Sequence, residues 1–383
     1  MPKNPLKKFQ SLKEEAKNVC FLVSKNKSIL AWDPIATFSS KNDIRGFEKF
    51  AEKHRDKKLI GYLSYDLSYK LLKIKQTAKN DLNLPNIYFH AFDQWIEKDK
   101  VNLKISPSKT RYRSENFAPI MSKKAYTKAY KKIQKYIREG DIYQINLTHR
   151  LEAKSEIPAR ELFLRLIATN PVDFLAYIEG DGFEVLSASP ERFIKIENNK
   201  IETCPVKGTR PRGKTAKIDQ KMVKELIESE KEAAELNMIT DLLRNDIGKI
   251  AKIGSVKVIG HRLLSKCPSV WHTYSQINGE LKTTPLKALL SMLPGGSITG
   301  CPKKRAVEII DELEPVTRGI YTGAIGHIEP KSQDLDFNIA IRTIIKKNDK
   351  LYLQVGGGIV IDSKEEAEFE ETMQKAASFM KIL

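Results

Sequence analysis

Short runs of β-branched and aromatic residues recur along the whole chain, and helical stretches fall between them with no fixed period. CFLV at Cys20–Val23, LIGYLSYDLSY from Leu59 to Tyr69, NIYFHAF around Tyr88, FLAYIEG, EVLSASPERFIKIENN and KIETCPV read as strands broken by Gly, Asn, Asp, Lys and Pro. Parallel pairing would require a crossover, usually a helix, between successive strands. That period is missing, so the expected class is α+β with antiparallel sheets. FLAYIEG through KIETCPV should form an antiparallel meander with turns at Asp181-Gly182 and Asn198-Asn199. Further strands are expected at Gly319–Glu329, Asn338–Lys346 and Leu351–Ile361.

Helical spacing is clear at Ser122–Glu139, where Tyr126, Ala129, Tyr130, Ile133 and Ile137 repeat at three and four residues and Gly140 supplies the stop. A long helix is expected from about Lys217 through Leu243, and a closing helix at Ser363–Ile382. PGGSITGCPKKRAVEIIDELEP places a glycine-rich turn ahead of a helix whose first turn should contain Pro302. The polar stretch KISPSKTRYRSENFAP marks a soft boundary near Ser114 to Pro119. It divides an amino-terminal subregion, 1–118, from a core, 119–383, on which the first is expected to pack.

The 383 residues are 41% hydrophobic and 30% charged, which supplies a sizeable core and excludes fibrous and disordered classes. The net charge of +18 is uneven: residues 1–140 hold 31 basic and 14 acidic groups, +17, leaving +1 for the rest. Its lysines are scattered, without an arginine stripe interleaved with aromatics, so no nucleic-acid partner is expected. Cys20, Cys204, Cys267 and Cys301 are too few and too far apart for a disulfide framework or a CxxC zinc site, and read as thiols in a reducing compartment. No run of about 18 apolar residues occurs, and no segment reads as a leader. A cytoplasmic, soluble protein without a membrane partner is expected.

Several segments carry residues able to do chemistry. Glu232 and Glu235 share one helix face, and Glu368 and Glu371 repeat that spacing on the closing helix. Such pairs are commonly a solvated face; if the helices face each other, their oxygens suit a hard cation such as Mg²⁺. The turn from Pro294 to Lys303 lacks the Lys-Ser/Thr of a phosphate loop, which argues against a nucleotide triphosphatase. It leaves either an ordinary capped helix or a carboxylate-binding N-terminus. In CPVKGTRPRG, Lys207 ends an apolar strand and is either a snorkelling surface lysine or a half-buried nucleophile or base. Glu191 in SASPERF lies sixteen residues upstream and shares that site if the meander folds back. Gly356, Gly357 and Gly358 mark close backbone approach to a neighbouring group or a ligand. No HExxH, Ser-His-Asp or Cys-His signature is present.

Taken together, these segments resemble the chorismate-utilising enzymes, which include anthranilate, aminodeoxychorismate, isochorismate and salicylate synthases. The likeness runs in order through GDIYQINLTHR, SASPERF, CPVKGTRPRG, EAAELNMITDLLRNDIGKIA, PSVWHTYSQING, PGGSITGCPKKRAVEIIDELEP, YTGAIGHI, FNIAIRTI, GGGIVIDS and EFEETMQKA, covering about residues 120–383. It implies one large α+β unit of two packed sheets with peripheral helices. Glu235 and Glu371 match the family's Mg²⁺ positions, with Glu232 supporting; the ion would hold the ring carboxylate of chorismate. Tyr321 and Arg342 match positions that grip the enolpyruvyl carboxylate beside the Gly356–Gly358 backbone. His272 and Thr299 match other pocket-lining positions.

Two residues select among the members. Water-adding enzymes carry a lysine base where this chain has Gln144, and anthranilate synthases usually read Pro-Ile-Ala-Gly-Thr where it reads Pro205-Val206-Lys207-Gly208-Thr209. The resemblance therefore implies aminodeoxychorismate synthase chemistry, an aminotransferase-type step toward p-aminobenzoate and folate, with anthranilate synthase component I as the alternative. In that chemistry Glu191 acts as general acid on the 4-hydroxyl and a neutral Lys207 forms a covalent intermediate, which ammonia displaces. No cysteine lies in a Gly-x-Cys-x-Gly elbow, so ammonia is expected from a glutamine amidotransferase partner. Gln374 and Cys301 depart from the acidic residue and the alanine common at these positions.

Overall fold

The computed structural model describes residues 4–383 apart from 13–15, 25–26, 100–102, 104, 106–107, 109, 171 and 267–269, so Cys267 lies outside the described residues. Among the described residues the strands form two antiparallel sheets of ten strands each, the α+β class expected. In the first, neighbours run Gly300–Cys301, Gln144–Lys154, Lys350–Ile359, Thr343–Lys347, Phe183–Ser189, Phe174–Gly180, Cys20–Ser24, Lys27–Ala31 and Trp95–Asp99, with Ala118–Pro119 also on Gln144–Lys154. In the second the order is Val206–Pro211, Val270–Glu280, Lys200–Thr203, Arg192–Glu197, Leu335–Ile339, Ala324–Ile328, Lys58–Leu63, Ile87–Phe92 and Ala36–Ser40, with Lys257–Lys266 also on Val270–Glu280. Residues 4–117 thus give three strands to each sheet.

Alternation along the strands explains the layering. Cys20 and Leu22 pack with Ile60, Tyr62 and Tyr88 of the opposite sheet, whereas Phe21 and Val23 face Leu162, Phe163 and Phe379 from helices. Both parities are apolar because the sheet is covered on both faces. Helices Ala159–Thr169 and Glu365–Met380 cover the outside of the first sheet, and Ile44–Lys53, Glu230–Ile250 and Pro285–Met292 cover the second. Helix Lys123–Arg138 buries Tyr126, Ala129, Tyr130 and Ile133 as its spacing predicts. No helix among the described residues is long and apolar enough to cross a membrane.

Four local expectations are corrected. The helix expected at Lys217 through Leu243 is two, Ala216–Glu228 and Glu230–Ile250, because Ser229 leaves helical geometry at ψ 107° and its hydroxyl accepts from the Glu232 N–H. Pro302 has ψ 141° and precedes the helix Lys303–Leu313 as its N-cap. The meander is divided between sheets: Phe183–Ser189 lies in the first and Arg192–Glu197 in the second, with Pro190 and Glu191 between them. The strand expected at Asn338–Lys346 is divided likewise, and Arg342, at φ 51°, sits in the crossing. The crossings are tied together, since Ala188 N–H donates to the Arg342 carbonyl and Ile339 N–H to the Glu191 carbonyl, each at 3.0 Å.

Candidate active site

Lys207 owes its direction to a β-bulge. It pairs with Thr273 while Thr209 pairs with His272, so Gly208 is an extra residue in Val206–Pro211. Gly208 has φ +80°, and a Cβ there would stand 2.9 Å from Leu226 and Thr273 Oγ1 and 3.0 Å from Glu232 Oε2, which only glycine avoids. The Thr273 hydroxyl donates to the Lys207 carbonyl and fixes the bulge. The Lys207 ammonium is 3.8 Å from Glu235 Oε2. A Cβ on Gly358 would meet that ammonium at 3.6 Å and Gln144 Nε2 at 2.7 Å, and one on Gly357 would meet Glu368 Oε2 at 3.3 Å. The bare glycine strand therefore leaves room for the groups around it. Gln144 Oε1 is buried without a hydrogen-bond partner, an acceptor available to a bound molecule.

Four carboxylates on two helices flank this amine. Glu232 Oε1 accepts from Arg210 Nη1 at 2.7 Å, while its Oε2 is buried and unpartnered. Across from it, Glu368 accepts from the Ser363 hydroxyl at 2.6 Å, and burial raises its pKa against that bond. Glu371 is pulled the other way: burial opposes its charge, but Lys375 at 2.7 Å, with Lys207 and Lys231, holds it below the ordinary range. Lys231 acts on both Glu368 and Glu371, so the face of Glu230–Ile250 addresses that of Glu365–Met380.

Glu191 is buried at the sheet crossing. Burial pushes its carboxyl up to about 7, against the opposing effects of the Ser297 hydroxyl, which donates to Oε1 at 2.7 Å, and of Lys207. Ser297 sits in the short helical turn Gly296–Ile298. Arg318, fully buried, ties that turn to the strand Gln144–Lys154 by donating to the Ile298 carbonyl at 2.9 Å and the Asn146 carbonyl at 2.6 Å while paired with Glu314. Lys303 anchors the end of the turn on Asp246 at 2.5 Å.

The remaining expected residues are less tightly grouped. His272 shares a hydrogen bond of 2.8 Å with the Thr209 hydroxyl; burial lowers its pKa against the opposing Gly208 carbonyl, with Arg342 acting in the same sense as burial. Thr299 is buried, but its hydroxyl donates to the Gly295 carbonyl at 2.7 Å and folds the turn. Tyr321 is buried beside a cavity of about 10 Å³ that Arg150, Thr343 and Tyr352 also line. Ser297, Arg210 and Arg318 escaped the sequence reading. Their only signal was adjacency to motifs whose fold was not legible.

The carboxylates fit a magnesium ion in donor chemistry. Mg²⁺ takes one or two carboxylates and fills its shell with water and substrate oxygens. The orphaned, buried Glu232 Oε2 is a group such an ion would satisfy. Among the described residues no three His, Cys, Asp or Glu side chains form a closed metal site.

Solved structures similar to this chain share this architecture. Residues 12–381 match the family described as chorismate binding enzyme. The chain belongs to that family. Among curated relatives of the chorismate-binding family it is 34% identical to aminodeoxychorismate synthase component 1 of Bacillus subtilis (strain 168), over 85% of this chain and 76% of that protein. It is equally, 34%, identical to anthranilate synthase component 1 of Acetivibrio thermocellus, over 85% of this chain and 74% of that one. The crystal structure of anthranilate synthase component I from Streptococcus pneumoniae superposes with a TM-score of 0.82 at 27% identity, covering 98% and 97% of the two chains. Within the chorismate-binding family these likenesses leave the member undivided.

Proposed function

We propose that the chain is the chorismate-using component of an aminodeoxychorismate synthase, making 4-amino-4-deoxychorismate from chorismate and ammonia. One observation carries the reading: the Lys207 amine is directed by its bulge toward the glycine strand, 3.8 Å from Glu235 and within electrostatic reach of Glu191. The resemblance puts alanine at this position in anthranilate synthases, which therefore have no amine to contribute.

Bound Mg²⁺, held by Glu235 and Glu371 with Glu232 in support, would supply positive charge for the ring carboxylate of chorismate. Arg342 and Tyr321 take the enolpyruvyl carboxylate, and Gly356, Gly357, Gly358, His272, Thr299 and Gln144 line the ring. Glu191, protonated, delivers its proton to the departing 4-hydroxyl. Lys207, its own proton lost, adds at C2 as the double bonds shift. Ammonia then adds at C4 and Lys207 leaves, so the amino group replaces the hydroxyl and pyruvate stays on the ring. A separate glutamine amidotransferase subunit supplies the ammonia; the relatives are named as component 1, and this chain has no glutaminase elbow. A cytoplasmic setting goes with this reading.

Chromatography of products from chorismate, Mg²⁺ and ammonium tests it. The expected outcome is 4-amino-4-deoxychorismate without pyruvate. Release of pyruvate with a fluorescent ortho-aminobenzoate would overturn it in favour of anthranilate synthase.

A further inference from the structure

We infer that Ser297 is a positioning residue for proton transfer at Glu191, holding Oε1 as a hydrogen-bond acceptor so that the transferable proton resides on Oε2. The inference rests on the reading above, in which Glu191 is the general acid.

The Ser297 hydroxyl lies 2.7 Å from Glu191 Oε1, and the two residues are 8% and 7% exposed. Among the described residues no other side chain hydrogen-bonds to this carboxyl. An undirected carboxyl divides its proton between two oxygens and turns freely; one donor on one oxygen removes that choice. Both ends of the contact are braced. On the carboxylate side, Glu191 N–H donates to Ser189 Oγ at 3.2 Å and the Glu191 carbonyl accepts from Ile339 at 3.0 Å. On the serine side, Arg318 holds the Ile298 carbonyl at 2.9 Å, and Asn146 N–H holds the Thr299 carbonyl at 2.9 Å. A Cβ on Gly296 would lie 2.6 Å from Leu242, so the turn is pressed onto the helix Glu230–Ile250. The backbone that carries the hydroxyl is therefore held from both sides, as a positioned catalytic partner requires.

A donor on a carboxylate stabilises the ionised form, so its loss makes the acid keep its proton to higher pH. The test is the pH profile of kcat/KM for the wild type and for Ser297→Ala, Ser297→Thr and Ser297→Val, with chorismate, Mg²⁺ and ammonium. Ser297→Ala is expected to move the alkaline limb upward by about one pH unit and to lower kcat about tenfold with little change in KM. Ser297→Thr, which restores the hydroxyl, should return the limb, and its near-isostere Ser297→Val should not. If Ser297→Ala fails to fold, the Thr and Val pair carries the comparison alone. An unmoved limb in the hydroxyl-free variants, with Glu191→Gln inactive, overturns the role of Ser297 and leaves the general acid standing. Wild-type rates in Glu191→Gln would overturn the reading beneath both.

Discussion

Lys207 and Glu235 form an ion pair at 3.8 Å that joins the bulged strand Val206–Pro211 to the helix Glu230–Ile250. The pair puts the bulge-borne amine of the site against one of the carboxylates that two facing helices present. On the proposed route the amine makes a bond to carbon. Lys207→Ala should lower turnover on the order of 10³-fold or more, with chorismate binding retained. Single-turnover product analysis measures the first and equilibrium dialysis the second.

The Glu191 carboxyl titrates near 7, well above an exposed glutamate. A general acid works while protonated, so the alkaline limb of kcat/KM should fall tenfold per pH unit above about 7, while the need for a neutral Lys207 sets a separate fall on the acid side. Glu191→Gln should lose roughly 10²- to 10⁴-fold in rate and the alkaline limb with it. A flat profile through pH 8 would refute the assignment.

The same proton has a stability consequence. Because the folded-state pKa is raised, the folded protein binds the proton more tightly than the unfolded chain. That contribution is complete below the unfolded value of about 4.3 and is lost as pH rises to about 7. Glu191→Gln should therefore raise Tm at pH 8 more than at pH 5, by free energies on the order of 1–3 kcal/mol. Calorimetry at the two pH values reads the difference.

Gly208 is where backbone geometry and chemistry meet. At φ +80°, with three side-chain contacts at 3.0 Å or less awaiting a Cβ, Gly208→Ala should cost about 1–3 kcal/mol of stability. Turnover should fall by more than that loss explains, because the bulge that aims Lys207 is distorted. Urea unfolding set beside kcat separates the effects.

Arg318 and Glu314 are both buried and paired at 2.7 Å. Arg318→Leu leaves an uncompensated carboxylate and unhooks the Ile298 and Asn146 carbonyls, so a loss of about 3–5 kcal/mol is expected. The double variant Arg318→Leu with Glu314→Leu should recover part of it. Denaturation midpoints of the two variants give the comparison.

On the proposed reading, activity requires magnesium. Chelation with EDTA should abolish turnover and added Mg²⁺ restore it. Glu235→Gln and Glu371→Gln should each raise the Mg²⁺ concentration for half-maximal rate by at least about tenfold. An unchanged requirement in both variants would remove them as ligands.

Much of the fold was legible in local patterns. The apolar spacing of Tyr126, Ala129, Tyr130 and Ile133 foretold a helix, and Asn198-Asn199 foretold a hairpin, because periodicity and turn chemistry are properties of neighbouring residues. The runs around Glu191 and Arg342 misled for the same reason: a strand that ends and a strand that changes sheets look alike until the second sheet exists to receive it. Ser229 misled because a serine reads as an ordinary helix residue until its hydroxyl turns back on Glu232.

Residue types and their order were enough to nominate Lys207, Glu191, Glu232, Glu235 and Glu371, since amines and carboxylates carry their chemistry wherever they stand. Tertiary structure alone decided that the bulge at Gly208 aims the lysine and that burial holds a proton on Glu191. It also decided that a serine 106 positions away donates to that carboxyl. Those relations depend on which surfaces exclude water and which distant segments touch, and neither is a property of any stretch of chain before it folds.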